Sequence, residues 1–231
     1  MLDHQALNDQ QPRHKKILDF HNSLLDRSRA SEEQLWELAG WSSPSSQLLR
    51  FERLLRTTSF SGGSVLDWGC GGGDLFAYLS KTGHRFNYTG YDINPRMIAL
   101  AQRRFGSHFD LVSLSHQVTA EYDYIFASGI FQFRDDARPT YFLDYLESMF
   151  RCARRAVAVN FLSALRNSEN KIDDELYVEP TSIVPFLSRI CNRWVIDHSY
   201  HPGKGDFTVA LLKSDEDDGW RRPDFSEQRT L

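Results

Sequence analysis

Apolar positions in the first sixty residues recur at helical spacing. In "HKKILDFHNSLLDRS", Ile17, Leu18, Phe20, Leu24 and Leu25 share one face, the stripe an amphipathic helix needs. In "SEEQLWELAG", Ser31 and Gln34 have the spacing of a capping box and Gly40 suits a helix stop. "SSPSSQLLRFERLLRTT" predicts another helix, with Leu48, Phe51, Leu54 and Leu55 as its apolar stripe.

From Ser64 the period shortens. "SVLDWG", "FNYTGYDI", "HFDLVSL", "YDYIFAS" and "AVAVNFL" read as strands, the last an almost continuous apolar run suited to the middle of a parallel sheet. Helices are expected between them at about 74–81, through "NPRMIALAQRRF" with Asn94 as N-cap and Pro95 in first position, and at about 136–152. Pro180 opens "PTSIVPFLSRIC", read as one further helix. "RWVIDHSYHPGKGDFTVALLK" then reads as two strands joined by a Pro/Gly turn, an antiparallel pair. Alternating strands and helices predict a doubly wound α/β sandwich. Three parts are expected: a helical cap or lid over 1–60, the α/β domain over 61–213, and a polar, disordered tail over 214–231.

Composition narrows the function classes. The 231 residues carry a net charge of −4, which gives no bulk attraction to nucleic acid or anionic lipid. Cys70, Cys152 and Cys191 are odd in number and far apart. That argues against a disulfide framework or a zinc site and fits a reducing compartment. The polar start "MLDHQALNDQQPRHKK" lacks a signal-peptide core, and no apolar run reaches bilayer length. A cytoplasmic protein with no metal and no membrane partner is expected.

The chemistry centres on "SVLDWGCGGGDLFAYL". Glycines crowd the end of the first strand, where ligands of such sheets sit. The dinucleotide fingerprint fails because Asp74 stands where its third glycine belongs. A P-loop fails because no Lys-Ser/Thr pair follows. The pattern is Gly69-x-Gly71-x-Gly73 preceded by Asp67, and Asp92 closes the next strand 19 residues beyond Gly73. A carboxylate there can accept hydrogen bonds from both ribose hydroxyls. The implied ligand is a nucleoside without pyrophosphate. The bland alternatives are a tight turn that binds nothing and an Asp92 that merely caps a helix.

At these residues the chain resembles the class I S-adenosylmethionine-dependent methyltransferases. "VLDWGCGGG" resembles their first motif, "YTGYDINPRMI" their second and "EYDYIFASGIFQF" their fourth-strand motif. The resemblance runs from about Phe51 to Lys213. It implies a Rossmann-like seven-stranded sheet closed by the antiparallel pair, behind a helical N-terminal extension. It implies S-adenosyl-L-methionine as cofactor, with Gly69, Cys70 and Gly71 along its methionine part and Asp67 holding the amino group. Asp92 would clamp the ribose, Ile93 and Met97 would pack on adenine, and Ser128 and Gly129 would border the methyl group. Arg50 is the candidate for the cofactor carboxylate. Asp74, opening the helix after the glycines, joins the cofactor-binding set, and its charge also suits that helix terminus. The acid that the family often has after the third strand is missing; Ser113 or Ser115 stands nearby, Asp110 is too early, and the contact to the adenine amino group is left unassigned.

Catalytic groups are less defined, because a sulfonium needs no further activation and a base is required only for a protonated nucleophile. His198, His201 and Asn160 are the candidates, with His21 and Tyr200 behind them. Phe131, Gln132 and Tyr177 could shape the acceptor site. "ASGIFQF" lacks the Pro-Pro motif of amino-methylating nucleic-acid enzymes, and no double-glutamate loop is visible. The insertion "SALRNSENKIDDELYVEP" has the size of a lid. A small-molecule acceptor is therefore expected; the alternatives are a protein or RNA methyltransferase and a non-catalytic module acting with a partner chain.

Overall fold

The structure, a computed structural model, describes residues 11–27, 35–38, 40–111, 120–167, 169, 171–201 and 205–213. The Ser31/Gln34 capping box, Ser113, Ser115 and the tail lie outside the described residues.

Three helices precede the sheet: α1 (Gln11–Arg27), α2 (Leu35–Leu38) and α3 (Pro44–Thr57). Ser43 caps α3 by accepting the Ser46 N–H at 3.1 Å, with Pro44 at the first position. β1 (Gly63–Trp68), α4 (Asp74–Leu79), β2 (Phe86–Asp92), α5 (Pro95–Phe105), β3 (Phe109–Leu111) and β4 (Tyr122–Ala127) follow. Then come α6 (Tyr141–Cys152), β5 (Ala153–Ser163), β6 (Tyr177–Val178), α7 (Val184–Ile190), β7 (Arg193–Asp197) and β8 (Asp206–Leu212).

The strands form one sheet in the order β3-β2-β1-β4-β5-β8-β7. The first five are parallel and β8 runs antiparallel to both neighbours. This is the seven-stranded doubly wound sheet with its closing antiparallel pair. An eighth strand, the two-residue β6, pairs with the end of β5 at Leu162 and Ser163. It lies in the insertion expected as a lid, too short to show alternation.

Period-two burial builds the two layers. Along β5, Val157 and Val159 face α6 and α7, packing with Leu146, Met149 and Leu187. Ala156 and Ala158 face the other way, towards Leu54 of α3 and Leu79 and Ala101 of α4 and α5. Small side chains on that face let α3 lie close to the sheet. Thus α3 belongs to the sandwich wall, whereas α1 crosses above the carboxyl ends of the strands. Asn22 accepts from Asn94 Nδ2 at 3.1 Å, Asp26 pairs with Arg96 at 2.7 Å, and Lys16 pairs with Asp174 at 2.8 Å.

Two boundaries differ from the sequence expectation. The helix expected from about 136 starts at Tyr141, because Asp135 Oδ1 takes the Ala137 and Arg138 N–H groups in a turn. The helix expected from Pro180 divides into a 3₁₀ turn (Pro180–Ile183) and α7. Pro185 explains the break: without an N–H it cannot continue the turn before it but suits a helix start.

Candidate active site

The turn after β1 is built by main chain. Gly69 and Cys70 both donate N–H to Tyr91 O, at 2.7 and 2.9 Å, fastening the turn to β2. Gly69, Gly71 and Gly73 hold φ of 83°, 51° and 85°, the left-handed region glycine tolerates without strain. A side chain at Gly71 would meet nothing within 4 Å, so its backbone faces open space. Gly71 N–H reaches Asp92 Oδ2 at 2.9 Å, and Asn94 N–H reaches Asp92 Oδ1 at 2.8 Å. Each carboxylate oxygen keeps a lone pair for another donor. Burial raises the Asp92 pKa, against the pull of those two N–H groups and of His21.

These groups border a cleft of about 880 Å³, its open mouth included. Gly69, Gly71, Asp92, Ile93 and Met97 line one side, Ser128 and Gly129 the other, and Arg13, Ile17 and His21 of α1 form the roof. A second cavity of about 960 Å³, likewise with its open mouth included, adjoins it and shares Trp41, Gly129 and Phe131. Gly129, at φ 82°, lets the Trp41 ring approach; a Cβ there would lie 3.1 Å from it. His201, Asn160, Arg50, Arg166, Glu175 and Asp206 line the second cavity.

The structure thus brings seven of the expected cofactor residues to one cleft and places four elsewhere. Arg50 is buried against Asp206 and also donates to Ser46 O at 2.8 Å. The expectation is that it meets the cofactor carboxylate; its charge instead faces Asp206, and it lines the second cavity rather than the first. Asp67 points behind the turn, where it accepts the Tyr88 hydroxyl at 2.5 Å. Burial raises its pKa to about 7 despite that bond. Asp74 faces outward from the turn, bonded to Gln47 at 2.9 Å and Arg104 at 2.8 Å. The Cys70 thiol packs inward by Gly90, and burial lifts its pKa well above the ordinary range, leaving only main chain near the cleft.

Of the catalytic candidates, His201 and Asn160 line the second cavity; His198 lines neither, its ring nitrogen 2.8 Å from Ser163 Oγ. Asn160 accepts from Ser128 and donates to Thr208, both at 2.8 Å. These bonds tie the ends of β4, β5 and β8 together. His21 sits in the roof, 3.1 Å from Leu38 O.

Sequence reasoning missed Arg13. It is 5% exposed and donates to the Tyr145 hydroxyl at 3.1 Å, with its guanidinium 3.6 Å above the Tyr141 ring. Among the described residues its Nε and Nη1 are buried without a hydrogen-bond partner. A buried cation in that state calls for an anion. The one signal in the chain was its spacing with Ile17, Phe20 and Leu24 on the inner face of α1, hidden among basic neighbours. The cleft therefore combines a glycine turn, a carboxylate hydrogen-bonded to it, and a buried cation with two unpartnered nitrogens, a set of groups that fits an amino-acid nucleoside.

The pattern of the Methyltransferase domain family matches residues 65–156, from β1 into β5. Rv1506c of Mycobacterium tuberculosis, provisionally named a methyltransferase, is 30% identical over 158 residues, spanning 65% of this chain and 93% of its own. The chain belongs to the class I S-adenosylmethionine-dependent methyltransferases. Its cofactor is S-adenosylmethionine. A ubiquinone biosynthesis O-methyltransferase of Xanthomonas euvesicatoria is 32% identical over 91 residues, which cover 38% of this methyltransferase and 37% of that protein. In fold, the methyltransferase is similar to magnesium protoporphyrin IX methyltransferase of Synechocystis PCC 6803 solved with SAH. That likeness has a TM-score of 0.59 at 16% identity and covers 87% of this chain and 99% of that one. Among the described residues no helix is long and apolar enough to cross a membrane.

Proposed function

We propose that this methyltransferase methylates a small molecule held in the second cavity, with its cofactor in the first cleft. The observation that carries this reading is the junction itself: the two spaces meet at Trp41, Gly129 and Phe131 and are walled by the protein's own helices and insertion. A pocket walled in this way suits a metabolite; a macromolecule would need an open trench.

Each residue then has a role. The Gly69–Gly71 main chain follows the methionine part, Asp92 takes the ribose hydroxyls, and Ile93 and Met97 cover adenine. Ser128 and Gly129 stand at the methyl group. Arg13, not Arg50, takes the cofactor carboxylate, a task suited to guanidinium. α1 and α2 form the lid, while α3 stays with the sandwich. The free thiols Cys70, Cys152 and Cys191 suit a reducing, cytoplasmic setting.

S-adenosylmethionine supplies a methyl group on a cationic sulfur, already activated for in-line displacement. The protein's task is alignment. Holding both reactants in near-attack geometry contributes roughly 7–11 kcal/mol. The Trp41–Gly129 contact sets the width of the passage, and the α1 roof excludes water. The Asn160 bonds to Ser128 and Thr208 fix the floor between the two spaces.

Release of S-adenosylhomocysteine should be followed with panels of small hydroxy and amino compounds, with RNA, and with protein extract. Turnover confined to small acceptors is expected. Labelling of RNA or protein, with none of the small compounds active, would overturn the reading.

A further inference from the structure

The polar groups lining the second cavity divide into those already satisfied and those not. Glu175 accepts from Gln132 at 3.0 Å and from the Tyr177 hydroxyl. Asn160 is engaged at both ends of its amide. Arg50 spends its charge on Asp206 and its Nη1 donors on Ser46, with its guanidinium 4.6 Å from the Trp41 ring centre.

Two groups remain. Asp206 is 1% exposed, with Oδ2 against Arg50 and Oδ1 buried without a hydrogen-bond partner among the described residues. Arg166 lines the same cavity, half-buried, and among the described residues no hydrogen bond or ion pair holds its guanidinium. Burial raises the Asp206 carboxyl pKa, and Arg50, His201 and Arg166 all draw it back, so these groups surround it. The remaining walls include apolar rings: Phe131 and Phe161 stack at 5.1 Å with an interplanar angle of 8°, and Trp41 closes the side next to Gly129.

A buried acceptor without a donor is costly to leave bare, and an unpaired guanidinium beside it is a ready anion site. We propose that the methyl acceptor is a small acid with an apolar body and a hydroxyl or amino group, its anion held by Arg166 and its protic group by Asp206 Oδ1. This rests on the reading of the second cavity as the acceptor site. Arg50 acts here as a positioning residue: it holds Asp206 Oδ2 and draws the carboxyl pKa back down against burial. Phe131 and Phe161 hold the body of the acid, and the shared wall at Gly129 leads from it to the methyl group.

The test uses the full chain loaded with S-adenosylhomocysteine, whose binding is measured first; its absence would strike the cofactor assignment instead. The 2-, 3- and 4-hydroxybenzoates are then titrated calorimetrically, beside the matching hydroxybenzamides and plain benzoate. At least one hydroxybenzoate should bind, with its amide and benzoate each weaker by roughly tenfold or more. Arg166→Gln, a change at a half-exposed position, should weaken the acid by about tenfold and leave the amide unchanged. No hydroxybenzoate binding at millimolar concentration, equal binding of acid and amide, or an Arg166→Gln effect equal on both would overturn the proposal.

Discussion

Asp92 Oδ2 accepts the Gly71 N–H at 2.9 Å, so a carboxylate closing β2 holds the glycine turn that closes β1. The same carboxylate takes the Asn94 N–H at 2.8 Å, while Asn94 caps α5 and reaches Asn22 of the roof. One side chain thus fixes the cradle, the start of α5 and, at one remove, the lid. Asp92→Ala should therefore weaken S-adenosylhomocysteine by about a hundredfold, two charge-assisted hydrogen bonds being lost. Asp92→Asn, which keeps the shape but not both acceptors, should fall between. Calorimetric titration of both variants checks the order.

Gly129 carries a second prediction. Its φ of 82° disfavours any side chain by about 1–2 kcal/mol, and a Cβ would press on the Trp41 ring 3.1 Å away. Gly129→Ala should lower thermal stability modestly and narrow the passage between the two spaces. Turnover should drop by more than the affinity for S-adenosylhomocysteine does. Melting curves and paired binding and rate measurements separate the two effects.

Asp67 supplies the pH dependence. Burial raises its pKa from 3.8 to about 7, so the folded chain keeps a proton that the unfolded chain has already lost. This contribution to stability is complete below the unfolded pKa and is lost as pH rises through about 7. Asp67→Asn keeps the contact with the Tyr88 hydroxyl and needs no ionisation. It should match the wild type in acid and exceed it above neutral pH, by at most about 4 kcal/mol. Denaturant melts across the pH range test this.

Arg13 can be probed by ligand truncation. 5′-Methylthioadenosine lacks the amino-acid carboxylate that Arg13 is proposed to hold. Arg13→Met should cost S-adenosylhomocysteine roughly tenfold or more in affinity while leaving methylthioadenosine within about twofold. An equal loss for both ligands would assign Arg13 to the packing of α1 on Tyr141 instead.

The sheet and its glycine turn were legible because their causes are local. Val157 and Val159 alternate with Ala156 and Ala158, and Asp92 sits at a fixed distance after Gly73. The division of the Pro180 helix was also readable, from Pro185, had that residue been weighed against the apolar run around it. The direction in which a polar side chain points was not legible. Arg50 and Arg13 look alike in sequence, and only the arrival of β8 gives Arg50 a buried partner in Asp206. Asp67 stands in the expected motif, yet strand alternation turns it behind the turn towards Tyr88. Such assignments depend on contacts between residues far apart in the chain.

The central claim is that the cleft between the β1 turn and α1 receives the cofactor. A crystal structure of the full chain with S-adenosylhomocysteine tests it most directly. The ribose hydroxyls are expected on Asp92, the methionine part along Gly69 to Gly71, and the carboxylate at Arg13. A nucleoside bound in the second cavity, or with its ribose away from Asp92, would contradict the account.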